Sequence, residues 1–194
     1  MSGAEQVGDQ SRTSPTNPRY DVHRREKIVV AALDVIGDVG VSGASMRKVA
    51  DHAGVPLGSL TYYFGSRDEL LRAAFEEHAG AVAAKFESRM SHASCPASAQ
   101  EEIVALIMED MFANQRELVL NQELYTLAAR IPAFREITDA WMARSRAALS
   151  QQFDPDTARG LDALIEGLTL HGALGTHQLD QRFVAAMVGR ICPV

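Results

Sequence analysis

Apolar residues recur along this chain at three- and four-residue intervals and nowhere alternate one by one, so the pattern predicts helices throughout and no strand. A first helix, about residues 22–38, carries Ile28, Ala32, Val35, Ile36 and Val39 along one stripe and ends at Gly40. The chain then breaks into two short pieces. Ser45 is placed to cap a helix that shows Met46, Val49, Ala50 and Ala53 on one face. Gly54 can take the left-handed conformation that stops this helix, Val55 returns an apolar anchor, and Pro56 opens a second helix with Leu60 and Phe64 inward. A long helix follows from Ser66, which forms a capping box with Glu69, to about residue 91. Small polar residues around Pro96 read as a loop over 94–98. Helical spacing resumes over 99–114, 116–130, 133–153, 157–175 and 181–191, with Asp154-Pro155-Asp156 marking a stop and a new start. The expected fold is all-α, about nine helices, without internal repeats.

Two short helices on either side of a tight glycine turn form a helix-turn-helix, which points to DNA. The outward face of the second helix carries Gly58, Ser59, Thr61, Tyr62 and Tyr63, groups suited to phosphates, base edges and thymine methyls. From about residue 24 to 71 the chain resembles the DNA-binding domain of the TetR (TetR/AcrR) family of bacterial transcriptional regulators. The likeness rests on the run Arg24-Arg25-Glu26-Lys27-Ile28, the helix after Ser45, the Gly54-Val55 turn, Tyr62-Tyr63-Phe64, and Ser66-Arg67-Asp68-Glu69-Leu70-Leu71. Many members have an aromatic residue where Thr61 stands and a lysine where Arg67 stands. The resemblance implies DNA contacts from Ser45, Arg47, Lys48, Leu57, Gly58, Ser59, Thr61, Tyr62, Tyr63 and Arg67, the last to a phosphate. It also implies a division into a helix-turn-helix domain over 21–66 and a helical ligand-binding and dimerisation domain over 67–194, after a polar tail over 1–20. That tail is either solvated or an arm reaching the minor groove through Arg12 and Arg19.

The net charge of −6 looks wrong for a DNA binder until it is divided along the chain. Residues 1–66 carry seven basic and seven acidic side chains, whereas residues 67–194 carry twelve basic and eighteen acidic. The acidity belongs to the second part, and local potential at Arg24, Arg25, Lys27, Arg47, Lys48 and Arg67 governs phosphate contact. No run of eighteen apolar residues and no signal-peptide core is present, so a cytoplasmic protein with no membrane partner is expected. Cys95 and Cys192 have no spacing that suggests a metal or a pair, so two unrelated reduced thiols are expected. His23, His52, His78, His92, His171 and His177 form no His-Glu-x-x-His or other ligand spacing, and no Gly-x-Ser-x-Gly is present. No catalytic residue, metal or cofactor is therefore assigned.

The C-terminal helices carry the remaining expectations. Leu161, Leu164, Ile165, Leu168 and Gly172, with Phe183, Val184, Met187 and Val188, form faces that the resemblance assigns to a homodimer interface; an ordinary monomeric core is the other reading. Two heads about one DNA turn apart, roughly 34 Å, would suit a palindromic operator on double-stranded DNA. Met108, Met111, Phe112, Tyr125, Trp141 and His171 are candidate walls for an unidentified small effector, mainly apolar or amphipathic, or else plain core. The leading expectation is a homodimeric repressor released by such a molecule. A body that senses a protein partner, or a helical enzyme, are the alternatives. Movement of that body is expected to reach the recognition helix through the long fourth helix.

Overall fold

In a computed structural model, which describes residues 22–113, 115–175 and 179–193, every regular element is a helix. In chain order these are α1 (Val22–Gly43), α2 (Met46–Ala53), α3 (Leu57–Tyr63), α4 (Arg67–Met90), α5 (Pro96–Ala113), α6 (Gln115–Arg130), α7 (Pro132–Leu149), α8 (Pro155–Leu174) and α9 (Gln181–Ile191). The polar tail expected over 1–20 lies outside the described residues.

The local signals act where the sequence puts them. Ser45 Oγ accepts from Lys48 N at 3.2 Å, and Ser66 Oγ accepts from Glu69 N at 3.1 Å. Glu69 closes the second half of its box one residue early, accepting from Gly65 N at 2.9 Å rather than from the cap itself. Gly54 stands at φ 63°, ψ 37°, and its N–H returns to the Ala50 and Asp51 carbonyls. Asp154 accepts from the amides of Asp156 and Thr157, and Asp180 from that of Phe183.

Three boundaries differ from the sequence pattern. α1 does not end at Gly40: that residue breaks the helix at φ 70°, ψ 170°, and one more turn follows, bringing Val41 and Ala44 into the core. Pro96 opens α5 instead of lying in a loop. Its missing N–H costs nothing in a first turn, and Ser98 Oγ accepts from the amides of Ser94 and Cys95. α7 stops at Leu149, four residues short of the expected end.

The buried apolar side chains form two clusters that divide along the length of α4. One joins α1, α2, α3 and α4 as far as Ala83 to Leu120, Leu124 and Ala128 of α6 and Phe134, Ile137 and Trp141 of α7. The other gathers Phe86 and Met90 at the far end of α4 with α5, α8, α9 and the end of α7. The helix-turn-helix is thus sealed from behind by the body as well as by α1.

α6 has two opposed faces. Leu120 and Leu124 are buried toward α1, and the stem of Arg116 lies across Gly37, where a Cβ would come within 2.8 Å of Arg116 Cγ. Arg116 pairs with Asp34 of α1, which also meets His52 Nε2 of α2 at 3.3 Å. One helical turn beyond Gly37, Glu123 Oε1 accepts from Val41 N at 3.1 Å.

Candidate functional sites

α3 presents a reading surface because Leu60, and Phe64 just after the helix, turn the other way. Leu60 and Phe64 are fully buried, while Tyr62 is 57 % exposed, Leu57 is 39 % exposed, and Gly58 and Thr61 are exposed beside them. Ser59 and Tyr63 are half-buried; Tyr63 packs against the core and meets Tyr62 edge to face, ring centres 5.3 Å apart. Thr61 Oγ1 donates to Gly58 O at 3.1 Å, which leaves the oxygen free to accept. A Cβ on Gly58 would meet nothing within 4 Å. No contact inside the chain therefore explains a glycine that costs this helix about 1 kcal/mol relative to alanine. Arg47 and Lys48 are exposed on α2, as is Ser45, although its hydroxyl is engaged as a cap. Arg25, one of the basic groups expected to govern phosphate contact, lies over the Phe64 ring at 5.1 Å and adds a cation at the end of α3.

Arg67, expected at a phosphate, is also engaged within the chain. Its side chain is half-buried and turns inward, with Nε donating to Ala44 O at 2.8 Å and Nη2 donating to Val41 O. The guanidinium fork closes the turn between α1 and α2, which a motif position alone does not reveal.

The second site is a cavity of about 650 Å³ among α4, α6, α7 and α8, with Leu106 of α5. Of the expected wall residues, Trp141 lines it. Tyr125 stands one layer behind, stacked on Trp141 at 5.8 Å and donating its hydroxyl to Glu166 at 2.8 Å. Met108 packs into the second core instead, and His171 is exposed on the outer side of α8, so neither lines the cavity. The side chains of Met111 and Phe112 lie outside the described residues. Asn121 and Gln122 line the cavity as polar groups, joined by His78, Asp162, Glu166 and Thr169, which the sequence reading missed. The missed signal was on α8, where polar residues interrupt a helix apolar on two sides.

His78 is buried, and its Nε2 meets Asn121 Oδ1 at 2.7 Å. Burial is the main reason its pKa falls below the ordinary 6.5, against the pull of Asn121 and Glu117; Arg116 pushes the same way as burial. In the unfolded chain the imidazole protonates near the ordinary value, so the unfolded state takes up protons first as the pH falls. The stability contributed by neutral His78 is present above about pH 6.5 and is lost below it. Thermal melts between about pH 7.5 and 5.5 will show a falling midpoint, and His78→Gln, which keeps a donor for Asn121, will flatten that fall.

Cys95 and Cys192, expected to be unrelated, line one crevice beside the starts of α5 and α8. Cys95 is exposed, with Ser98 drawing its thiol below the usual range; Cys192 is buried, which pushes its thiol up. Among the described residues no group of three or more histidine, cysteine, aspartate or glutamate side chains could hold a metal ion, and no helix is long and apolar enough to cross a membrane.

A helix-turn-helix head with its recognition helix exposed, carried on an all-helical body with a roomy cavity, defines a transcriptional regulator rather than an enzyme. Residues 28–74 match the family model described as bacterial regulatory proteins of the tetR family, and residues 96–194 match that of the tetracyclin repressor-like C-terminal domain. The chain belongs to the TetR family. It is 46 % identical to a candidate transcriptional regulator of Streptomyces coelicolor A3(2), SCO7518, whose crystal structure superposes with a TM-score of 0.84 over 89 % of this chain and 99 % of that one. The multidrug binding protein EbrR, in a crystal structure with imidazole, is 33 % identical, with a TM-score of 0.77 over 97 % and 98 % of the two chains. Other EbrR structures hold ethidium, proflavin and malachite green. The transcriptional regulator BetI 2 of Chromohalobacter salexigens is 32 % identical over 175 residues, 81 % of each chain.

Proposed function

We propose that the chain acts in the cytoplasm as a homodimeric repressor that leaves a palindromic operator when a small molecule occupies the cavity. The observation that carries this reading is the double role of α6. Glu117, Leu118, Asn121 and Gln122 line the cavity, while Arg116, Leu120, Glu123 and Leu124 of the same helix hold α1. A helix packed on both sides cannot shift toward an occupant without pulling on Asp34 and Val41. The path from body to head therefore includes α6 beside α4, the route expected from sequence. An occupant that favours one position of α6 changes the population of DNA-competent heads by its difference in affinity for the two states. The small molecules bound by EbrR support a cavity of this kind.

The dimer surface in this reading is the outer side of α8 and α9. Leu161, Val184 and Val188 have no exposed surface, and Leu168 is almost covered; they seal the protomer's own core and leave nothing for a second copy. What remains outward is Leu174, Phe183, half-buried Leu164, Gly172 and Met187, and the open positions at Gly167 and Gly189. Ile165 lines the cavity.

On the DNA side, Leu57, Gly58, Thr61 and Tyr62 make the base-facing surface in this proposal, flanked by Arg25, Arg47 and Lys48 on phosphates, with bare Gly58 admitting the duplex closely. Fluorescence anisotropy with duplexes from upstream of the protein's own gene tests it. Binding will be selective over a scrambled duplex at two or four chains per duplex, and Tyr62→Ala will weaken it by about tenfold or more without changing the melting temperature. Equal binding of the variant and the parent protein would remove α3 as the reading element.

A further inference from the structure

Both cysteines of the chain line one crevice, formed by the start of α5, the turn after α7, the start of α8 and the end of α9. Cys95 is the N-cap residue of α5: its carbonyl accepts from Ala99 N at 3.0 Å, and its Sγ lies 3.5 Å from Ser98 Oγ. The amides of a first turn and the positive end of an 18-residue helix favour a sulfur anion over a thiol at this place. The Cys95 thiol lies below the usual range accordingly, with the Ser98 amide as the largest cause. Its exposure lets a reagent reach it. Cys192 has the opposite surroundings. It is 4 % exposed, its Sγ donates to Val188 O at 3.2 Å and accepts from Gln100 Nε2 at 3.4 Å, and burial pushes the thiol up. Gln100 belongs to the helix that Cys95 caps, so the two thiols flank the same end of α5. Cys192 stands just past α9 at φ −126°, ψ 77°, and turns toward the crevice with no more than the last turn of that helix giving way. Asp154, the charged side chain of the crevice, is held by the amides of Asp156 and Thr157.

We propose that this crevice is a peroxide-reactive dithiol site, in which Cys95 attacks a hydroperoxide and Cys192 then closes a disulfide with it. The inference stands apart from the cavity among α4, α6, α7 and α8 and from its occupant. The Cys95 thiolate attacks one oxygen of the peroxide; an S–O bond forms, the O–O bond breaks, and the other oxygen leaves and takes a proton, as an alcohol or, from hydrogen peroxide, as water. Sulfur is oxidised and the peroxide is reduced. The Cys192 sulfur then attacks the sulfenic sulfur of Cys95, the S–O bond breaks, and the hydroxyl leaves as water with the Cys192 proton. Two thiols and one hydroperoxide thus give one disulfide, one alcohol and one water. The division of roles follows from the surroundings. The sulfur that is exposed and stabilised as an anion meets the reagent, and the buried, protonated one is shielded from it until the sulfenic acid has formed in the same crevice.

The full chain, reduced and then freed of reductant, is treated with hydrogen peroxide near neutral pH and digested with trypsin. Both thiols will be lost together, and mass spectrometry will find the peptide of residues 90–116 joined to that of residues 191–194, two hydrogens lighter than the separate pair. Iodoacetamide will alkylate Cys95 about tenfold or more faster than Cys192 in the untreated protein. Cys192→Ser, which keeps a donor for Val188 O, will stop at a sulfenic acid on Cys95 that dimedone captures. Cys95→Ser, which keeps a capping side chain for α5 and so guards against a fold defect, will leave Cys192 unoxidised at the same dose. Alkylation of Cys192 as fast as that of Cys95, or no dimedone adduct in Cys192→Ser, would overturn the assignment of Cys95 as the attacking sulfur. A bond joining Cys95 of two chains, seen as a covalent dimer on a non-reducing gel in place of the linked 95–192 peptides, would overturn the dithiol site.

Discussion

Replacing Arg67 by alanine will lower the melting temperature of the whole protein, by roughly 5–15 °C, before it says anything about DNA. Its guanidinium donates to the carbonyls of Ala44 and Val41, two acceptors at the corner where α1 gives way to α2. Hydrogen bonds from a charged donor contribute about 1.5–3 kcal/mol each, and partial exposure of this one places the pair at about 2–4 kcal/mol. The comparison that gives the result meaning is Tyr62→Ala, since Tyr62 projects from α3 and holds nothing in the core. Tyr62→Ala will melt with the parent protein and bind DNA weakly. Arg67→Ala will melt early and bind weakly because the head it supports is less often formed. Arg67→Lys will fall between, because one ammonium cannot reproduce a planar fork aimed at two carbonyls. Scanning calorimetry of the three variants decides the matter, and an unchanged midpoint for Arg67→Ala would return this residue to the phosphate contact that its motif position implies.

Gly40→Ala will be the more damaging of two similar substitutions on α1. At φ 70°, ψ 170° the backbone occupies a region open essentially to glycine, at a cost of about 1–3 kcal/mol for any other residue. The added Cβ would also stand 2.5 Å from Glu123 Oε1, the atom that accepts from Val41 N. Strain and displacement act on the same joint, so the melting midpoint will drop by about 2–10 °C and the hold of α6 on the head will loosen. At Gly37 the backbone is helical and the obstacle is the flexible stem of Arg116, so Gly37→Ala will cost less. Operator release by a small-molecule probe of the cavity, measured by anisotropy, will be weakened in Gly40→Ala at concentrations where the probe still alters the fluorescence of Trp141. Full release by the probe in this variant would remove the α1–α6 joint from the path between cavity and head.

Local chemistry carried the reading of the head. Ser45, Gly54 and Ser66 cap or stop their helices through groups within five residues of themselves, and Leu60 and Phe64 turn inward because helical spacing puts them on one side. Interactions of that range are written in consecutive residues, so the helix-turn-helix and the all-α fold were legible in the chain. Pro96 was the exception among the local signals, since a proline opens a helix as readily as it breaks one.

The sites that depend on distant partners were not legible in the same way. Arg67 meets carbonyls 23 and 26 residues away, Glu123 meets an amide 82 residues away, and Tyr125 meets Glu166 across 41 residues. A periodic pattern says that Leu161, Val184 and Val188 are apolar, but which neighbour covers them depends on how α5, α8 and α9 come together. In this fold the protomer itself covers them. The same limit hid the cavity, because Asp162, Glu166 and Thr169 become its wall only when α4, α6 and α7 close around that side of α8. Sequence by itself determined the helices, their caps and the exposure of Gly58, Thr61 and Tyr62 on α3, each set by bonds and spacings within a few residues. Tertiary structure alone decided where α6 divides its two faces, what Arg67 holds and which polar groups meet in the cavity, because each requires side chains far apart in the chain to be packed against one another.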